Sequence, residues 1–299
     1  MTCRWLIAGA GGMLGRDLLA LLRREGAPVT GLARRDLDVT DAASVRDAFG
    51  RVRPDVVVNC AAWTAVDDAE AHESEALAVN GHGPANLAAA CATGGARLVQ
   101  VSTDYVFDGT ARWPYPEDAV RAPRNAYGRT KLAGEDAVFG RLNDVGYVVR
   151  TGWLYGAHGS NFVRTMIRLE RQRPEVAVVD DQHGQPTWTV DVAGQIVAMI
   201  RSGAEPGAYH ATSSGQTTWC GLAREVFSLL GADPERIRPT ASDAVERPAP
   251  RPACTVLGHD GWARAGLEPI GDWRLALSLA MPALLAAETG TVPGPVTGE

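Results

Sequence analysis

The N-terminal turn of this chain constrains its fold more than any other feature. Arg4-Trp5-Leu6-Ile7-Ala8 is a short apolar run of strand character. Gly9-Ala10-Gly11-Gly12-Met13-Leu14-Gly15 follows, and Asp17-Leu18-Leu19-Ala20-Leu21-Leu22 then has a helical pattern. Strand, glycine turn and helix in that order form the setting in which a dinucleotide is held. Glycine lets the main chain turn tightly and approach a pyrophosphate, which rests on the positive end of the helix. The spacing here is Gly9-x-x-Gly12-x-x-Gly15 rather than G-x-G-x-x-G.

The rhythm that begins there continues. Pro28–Ala33, Val56-Val57-Val58, Leu98-Val99-Gln100-Val101 and Tyr147-Val148-Val149 are β-type runs separated by helical stretches. Alternation of this kind predicts an α/β fold, a Rossmann-type doubly wound parallel sheet. After about residue 151 the rhythm loosens and proline increases. Asp180–Thr187 reads as loop, and short elements near Gly207–His210 and Ile237–Thr240, with a helix near Trp219–Leu230, predict a smaller α/β lobe. The expected organisation is a nucleotide-binding domain over 1–150, a second lobe over 151–288 with some return to the first, and a Gly/Pro/Thr-rich flexible tail over 289–299.

The second strand ends in Arg34-Arg35-Asp36. An acid about twenty residues beyond the glycine turn suits the ribose 2′-hydroxyl of NAD, whereas arginine suits a 2′-phosphate. The paired arginines favour NADP, with Arg34 as the leading contact and NAD as the secondary choice.

Lys131 is the single lysine among 29 basic residues. A chain that uses arginine everywhere else keeps lysine where a compact ammonium with a tunable pKa is needed. Tyr127 stands four residues earlier, so on a helix the two side chains share a face. A nearby ammonium pulls a phenol below its usual pKa of about 10 and makes it a proton donor. Ser102-Thr103-Asp104-Tyr105 and Asn59-Cys60-Ala61-Ala62-Trp63-Thr64 follow two of the strands, at the carboxyl ends where such sheets bind ligands. Either hydroxyl, Ser102 or Thr103, could hold a substrate oxygen near Tyr127.

Composition narrows the function. A net charge of −6 argues against a nucleic-acid partner. Five dispersed cysteines, none in a C-x-x-C, suit a reducing cytoplasm, and six scattered histidines offer no zinc spacing. No apolar run approaches the ~18 residues of a membrane span, and no signal peptide precedes the first strand.

Together these residues resemble the extended short-chain dehydrogenase/reductase family and, within it, the dTDP-4-dehydrorhamnose reductase branch. The resemblance runs from Leu6 to about Leu285. It is carried by Arg53-Pro54-Asp55-Val56-Val57-Val58-Asn59, Ser102-Thr103-Asp104-Tyr105-Val106-Phe107, Tyr127-Gly128-Arg129-Thr130-Lys131-Leu132-Ala133-Gly134-Glu135 and Thr151-Gly152-Trp153-Leu154-Tyr155-Gly156. Asp181-Gln182-His183-Gly184-Gln185-Pro186-Thr187 and Arg251-Pro252 continue it in the second half. Glycines with Y-x-x-x-K mark only the superfamily; the segments at 102–107 and 181–187 are narrower.

The resemblance implies NADPH-dependent reduction of the C4 ketone of dTDP-4-dehydro-6-deoxy-L-mannose to dTDP-L-rhamnose. Thr103, Tyr127 and Lys131 would form the catalytic set, with Tyr127 as general acid and Lys131 lowering its pKa and holding the nicotinamide ribose. Gly9, Gly12, Met13, Leu14 and Gly15 would surround the pyrophosphate. Asp38 and Val39 would border the adenine, and Ala62, Trp63, Thr64 and Val101 would line the cofactor groove. Thr103, Asp104, Trp153 and Asn161 would contact the hexose, and Arg251 would clamp the diphosphate.

Some members of the family dimerise through magnesium held near positions equivalent to Asp17, Val190 and the C-terminal helix. Valine supplies no oxygen, so no metal is expected, and a monomer or weak homodimer is. Two rival readings stand beside the main one. One is a reductase or epimerase of another dTDP-4-keto-6-deoxysugar in natural-product glycosylation. The other is a non-catalytic relative, such as the regulatory subunit of methionine adenosyltransferase, which has no need of an intact Thr-Tyr-Lys set.

Overall fold

In the computed structural model, which describes residues 3–289, the apolar runs form the predicted sheet. Strands β1 (Trp5–Ala8), β2 (Val29–Leu32), β3 (Val56–Asn59), β4 (Arg97–Thr103) and β5 (Gly146–Thr151) lie beside the strand Gly207–His210. The spatial order is Gly207–His210, β5, β4, β3, β1, β2, and every pairing is parallel.

Side chains alternate across the sheet with period two. Trp5 and Ile7 enter a core with Leu18, Leu22, Ile196 and Trp262 on one face. Leu6 and Ala8 enter another with Val45, Leu87 and Val138 on the opposite face. Helices Met13–Arg24 and Thr189–Ser202 cover the first face; Ala42–Val52, Gly83–Gly94 and Ala126–Phe139 cover the second. Burial on both faces explains why these strands read as continuous apolar runs rather than alternating ones.

The chain leaves β1 to form β2 on one side and returns through β3 on the other. That reversal makes a switch point between the carboxyl ends of β1 and β3, where open α/β sheets bind ligands. In the same layer, Thr103 at the end of β4 is in register with Thr151 at the end of β5. The switch point and the ends of β4 and β5 therefore open on one side of the sheet.

A third core holds the second lobe together. Val163, Met166 and Ile167 of helix Phe162–Gln172 meet Leu222, Val226 and Phe227 of helix Trp219–Leu229 and Trp273 and Leu277 of helix Trp273–Thr289. Val176–Val179 pairs with Ile237–Thr240 beside them.

Two details differ from the sequence reading. Gly207–His210 is an edge strand of the main sheet rather than part of the irregular lobe; Tyr209 is held there by ring contacts to Tyr147 and Trp262, at 6.5 and 4.8 Å. The stretch read as loop, 180–187, contains the short strand His183–Gly184 and runs into a second, Thr187–Trp188. Thr289 closes the last helix, and the remainder of the expected tail, 290–299, lies outside the described residues.

Candidate active site

The glycine turn works as its spacing suggests. Gly9 has φ +74°, and a Cβ there would lie 2.5 Å from the Ala61 nitrogen. The turn after β1 thus touches the turn after β3. A Cβ at Gly15 would meet the Gly9 carbonyl at 2.4 Å, so Gly15 allows the helix to close on its own turn. Gly12 is the N-cap of helix Met13–Arg24, and no side chain caps that end. An uncapped helix start at the cavity wall suits an anion.

Two cavities open from this point and share Gly12, Cys60 and Ala62. The first, of about 310 Å³, is lined by Gly9, Arg34, Asp38, Val39 and Trp63 among others. Arg35 is exposed and pairs with Asp36 at 3.5 Å, whereas Arg34 reaches the cavity. The Asp38 carboxyl is held below its ordinary pKa, chiefly by hydrogen bonds from the Thr40 hydroxyl and amide. It stays ionised and fixes the strand-end loop.

The second cavity, of about 550 Å³, brings together Met13, Leu14, Thr64 and Val101 with Thr103, Asp104, Tyr127, Lys131, Trp153 and Asn161. Two sequence-nominated residues line neither cavity. Gly15 is packed under the turn, and Arg251 is held to Asp67 at 2.7 Å and to the Ala249 carbonyl at 2.8 Å. The chain folds Arg251 into an ion pair instead of presenting it as a free clamp.

Helix Ala126–Phe139 carries Tyr127 and Lys131. Its N-cap Asn125 accepts from the Gly128 amide at 2.8 Å, a cap of the favoured type. A Cβ at Gly128 would lie 2.3 Å from the Tyr105 carbonyl, so the helix start seats directly on the turn Asp104–Val106. Tyr105 meets Tyr127 edge-on at 6.0 Å.

Lys131 is buried, and its Nζ donates to the Val101 carbonyl at 2.6 Å. Burial lowers its pKa to about 8, with Glu135 opposing. Burial also pushes the Tyr127 phenol up to about 12, partly offset by the Thr103 hydroxyl. This corrects the expected electrostatics. Desolvation outweighs any pull of the ammonium, and the group that eases Tyr127 is Thr103 rather than Lys131. A phenol at about 12 keeps its proton at neutral pH and can give it to a developing alkoxide.

Thr103 Oγ1 donates to Asp104 Oδ1 at 3.0 Å and accepts from the Tyr105 amide. The Asp104 carboxyl is buried, and desolvation raises it to about 6. A Cβ at Gly152 would lie 2.6 Å from Asp104 Oδ2, so only glycine fits there. Next to it, Trp153 adopts φ +49°, a left-handed backbone costing about 1–3 kcal/mol in a bulky residue. Asn161 faces the cavity, but its amide is engaged: Oδ1 caps helix Phe162–Gln172 through the Arg164 amide, and Nδ2 donates to the Gly156 carbonyl at 2.8 Å.

Sequence reasoning missed Trp219, which lies in the cavity wall and stacks on Trp153 with ring centroids 3.6 Å apart. No local pattern marks it, since the contact joins residues 66 positions apart. Ser102, left open against Thr103, has turned inward and donates to buried Glu135. The 181–187 segment also gains a physical reason: Gln185 Oε1 accepts from the Leu257 amide and the Thr212 hydroxyl, and Gly184 leaves room for the Trp153 ring.

Similarity to known proteins agrees with this architecture. The family described as RmlD substrate binding domain matches residues 3–285. A dTDP-4-dehydrorhamnose reductase of Streptomyces griseus is 57% identical over 98% of this chain and 97% of its own. A dTDP-4-keto-6-deoxy-D-glucose reductase of Streptomyces niveus is 59% identical over 97% of this chain and all of its own. A solved dTDP-4-dehydrorhamnose reductase of Bacillus anthracis, in complex with NADP, superposes with a TM-score of 0.91 at 35% identity, covering 94% of this chain and 99% of that one. With the glycine turn, the switch-point cavity and the Thr103-Tyr127-Lys131 set in place, the chain belongs to the RmlD substrate binding domain family.

Proposed function

We propose that this chain is an NADPH-dependent reductase of the C4 ketone of dTDP-4-dehydro-6-deoxy-L-mannose, giving dTDP-L-rhamnose. The observation that carries the reading is the adjacency of the two cavities, which share Gly12, Cys60 and Ala62 as walls, with Tyr127 and Thr103 in the second. The uncapped helix behind Gly12 fits a pyrophosphate and Arg34 fits a 2′-phosphate, so the residues present suit NADP. Bound NADPH supplies the hydride. Tyr127 gives its proton to the C4 oxygen, and the Thr103 hydroxyl, on exchanging its bond to Asp104 Oδ1, donates to that oxygen. Lys131, tied to β4 through the Val101 carbonyl, would hold the nicotinamide ribose with its ammonium. Asp104 and Trp153 orient the hexose.

In this reading residues 1–150 bind the cofactor and 151–288 supply most of the sugar-nucleotide contacts. Arg251 reaches a diphosphate only by exchanging its bond to Asp67. Five free cysteines suit a cytoplasmic enzyme. A monomer or weak homodimer without metal fits the commitments of the nearby acids. Asp17 accepts from Thr189 at 2.5 Å, and Glu288 on the last helix pairs with Arg164.

One observation favours a second reading, reduction of a different dTDP-4-keto-6-deoxysugar: the Streptomyces niveus relative is named for such a substrate. Separate assays with dTDP-4-dehydrorhamnose and with dTDP-4-keto-6-deoxy-D-glucose, each with product identification by NMR, decide between them. Higher kcat/KM on the first supports the proposal, and higher kcat/KM on the second replaces it. A non-catalytic role is disfavoured by the assembled Thr103-Tyr127-Lys131 set and ends with any turnover.

A further inference from the structure

Among the described residues lining the second cavity, Trp153 alone carries a side chain on a left-handed backbone, at φ +49°. Such a conformation persists where its surroundings over-determine it. Here they do so from three directions. The Trp153 carbonyl accepts from the Thr187 amide at 3.2 Å. The indole stacks on Trp219, with centroids 3.6 Å apart and planes 5° apart. Opposite the main chain of Gly184, the same indole leaves no room for a Cβ, which would lie 2.3 Å from Trp153 Cε2.

Trp219 is itself braced. Phe162 leans on it at 4.7 Å, and Thr218 caps its helix while donating to Asp180 at 2.5 Å. Gly184 and Trp219 are neighbours in one unit, because Thr217 pairs with Gly184 and Thr218 with His183. Trp153, by contrast, follows β5 of the main sheet. Its ring is therefore the point where the second lobe grips the end of the main sheet, one residue from Gly152 and its contact with Asp104.

We infer that Trp219, acting with Gly184, is a positioning residue that holds Trp153 against the hexose end of the cavity and so sets affinity for the sugar nucleotide. The inference rests on the substrate reading proposed above. A stacked aromatic pair adds rigidity beyond the area it buries, and a preorganised wall loses less on binding. Without Trp219, the strained backbone relaxes and the indole leaves the wall. Cofactor affinity should change little, since the ring contacts of Trp219 are to Trp153 and Phe162 and it lines no part of the first cavity, which holds Arg34.

The test uses the full chain with Trp219→Leu, Trp219→Phe and Gly184→Ala. Circular dichroism reads the exciton couplet of the stacked indole pair, and the split of KM against kcat separates positioning from a merely structural role. The couplet is expected in the wild type and lost in both Trp219 variants and in Gly184→Ala. KM for the dTDP-4-keto sugar rises roughly three- to tenfold in Trp219→Leu, the worth of one stacked pair. The kcat changes less, the NADPH Kd changes little, and Trp219→Phe recovers part of the KM. Wild-type KM in Trp219→Leu, or no couplet in the wild type, overturns the inference. Should Trp219→Leu fail to fold, Trp219→Phe keeps a ring against Phe162 and reads the same quantities. Failure of the wild type to reduce any dTDP-4-keto sugar overturns the substrate reading instead, and loss of the couplet in Gly184→Ala then still tests the clamp.

Discussion

Lys131 Nζ donates to the main-chain oxygen of Val101 at 2.6 Å, so the single lysine of the chain pins helix Ala126–Phe139 to β4. The bond is short and buried, and it fixes the ammonium in the wall of the second cavity. A guanidinium is larger and planar and cannot occupy this position without moving the strand or the helix. Lys131→Arg is therefore expected to lower kcat/KM by about two orders of magnitude although charge is kept, and Tyr127→Phe by about two to four. Steady-state reduction of the two variants beside the wild type checks this. Near-wild-type turnover in both would remove the mechanism.

Asp104 makes stability depend on pH in a direction opposite to most carboxylates. Its pKa is raised by burial from 3.8 to about 6, so between those values the folded state binds more protons than the unfolded state. Stability from this group is present below pH 3.8 and is lost as pH rises to about 6. Relative to Asp104→Asn, the wild type should lose on the order of 2–3 kcal/mol across that window. Urea unfolding of both proteins at the two ends of the window measures it; parallel curves would show that the carboxyl titrates normally.

How much of this was legible in the sequence varied with the range of the interaction. The glycine turn, the parallel strands and the Tyr127–Lys131 face are local, and their spacing carried them into the structure intact. Thr103 against Ser102 was not local: both end β4 and both reach the cavity wall, but the Ser102 hydroxyl is committed to Glu135, a partner far away in sequence. Gly207–His210 has too little apolar character to announce a sheet strand. Its place depends on Tyr147 and Trp262, far away in sequence. The electrostatics of Tyr127 also escaped, because helical spacing shows that two groups share a face but not how deeply each is buried.

Arg34, rather than Arg35, should govern cofactor choice, since only Arg34 lines the first cavity. A charge-assisted bond to a 2′-phosphate is worth roughly 1.5–3 kcal/mol, about ten- to a hundredfold in affinity. Arg34→Ala should weaken NADPH by that factor and leave NADH nearly unchanged, while Arg35→Ala should do little. Fluorescence titration of both cofactors decides it, and equal affinity of the wild type for both would count against the assignment.

Activity should survive chelation. Val190 offers no oxygen ligand, Asp17 is committed to Thr189 with His158 at 3.7 Å, and Glu288 is neutralised by Arg164. Magnesium needs oxygen ligands, commonly one or two carboxylates with waters. Sedimentation with magnesium and with EDTA should give one species distribution, accompanied by unchanged turnover. A dimer that dissociates on chelation would show that these acids rearrange around a metal.

The central claim is that a hydride passes to C4 of the sugar within this cavity while Tyr127 protonates the oxygen. Reduction of dTDP-4-dehydrorhamnose with NADPH deuterated at C4 of the nicotinamide, followed by NMR of the product, tests it directly. The expected result is dTDP-L-rhamnose with deuterium at C4 of the hexose, and loss of that product in Tyr127→Phe. Product without deuterium at that carbon, or a full yield from Tyr127→Phe, would contradict the account.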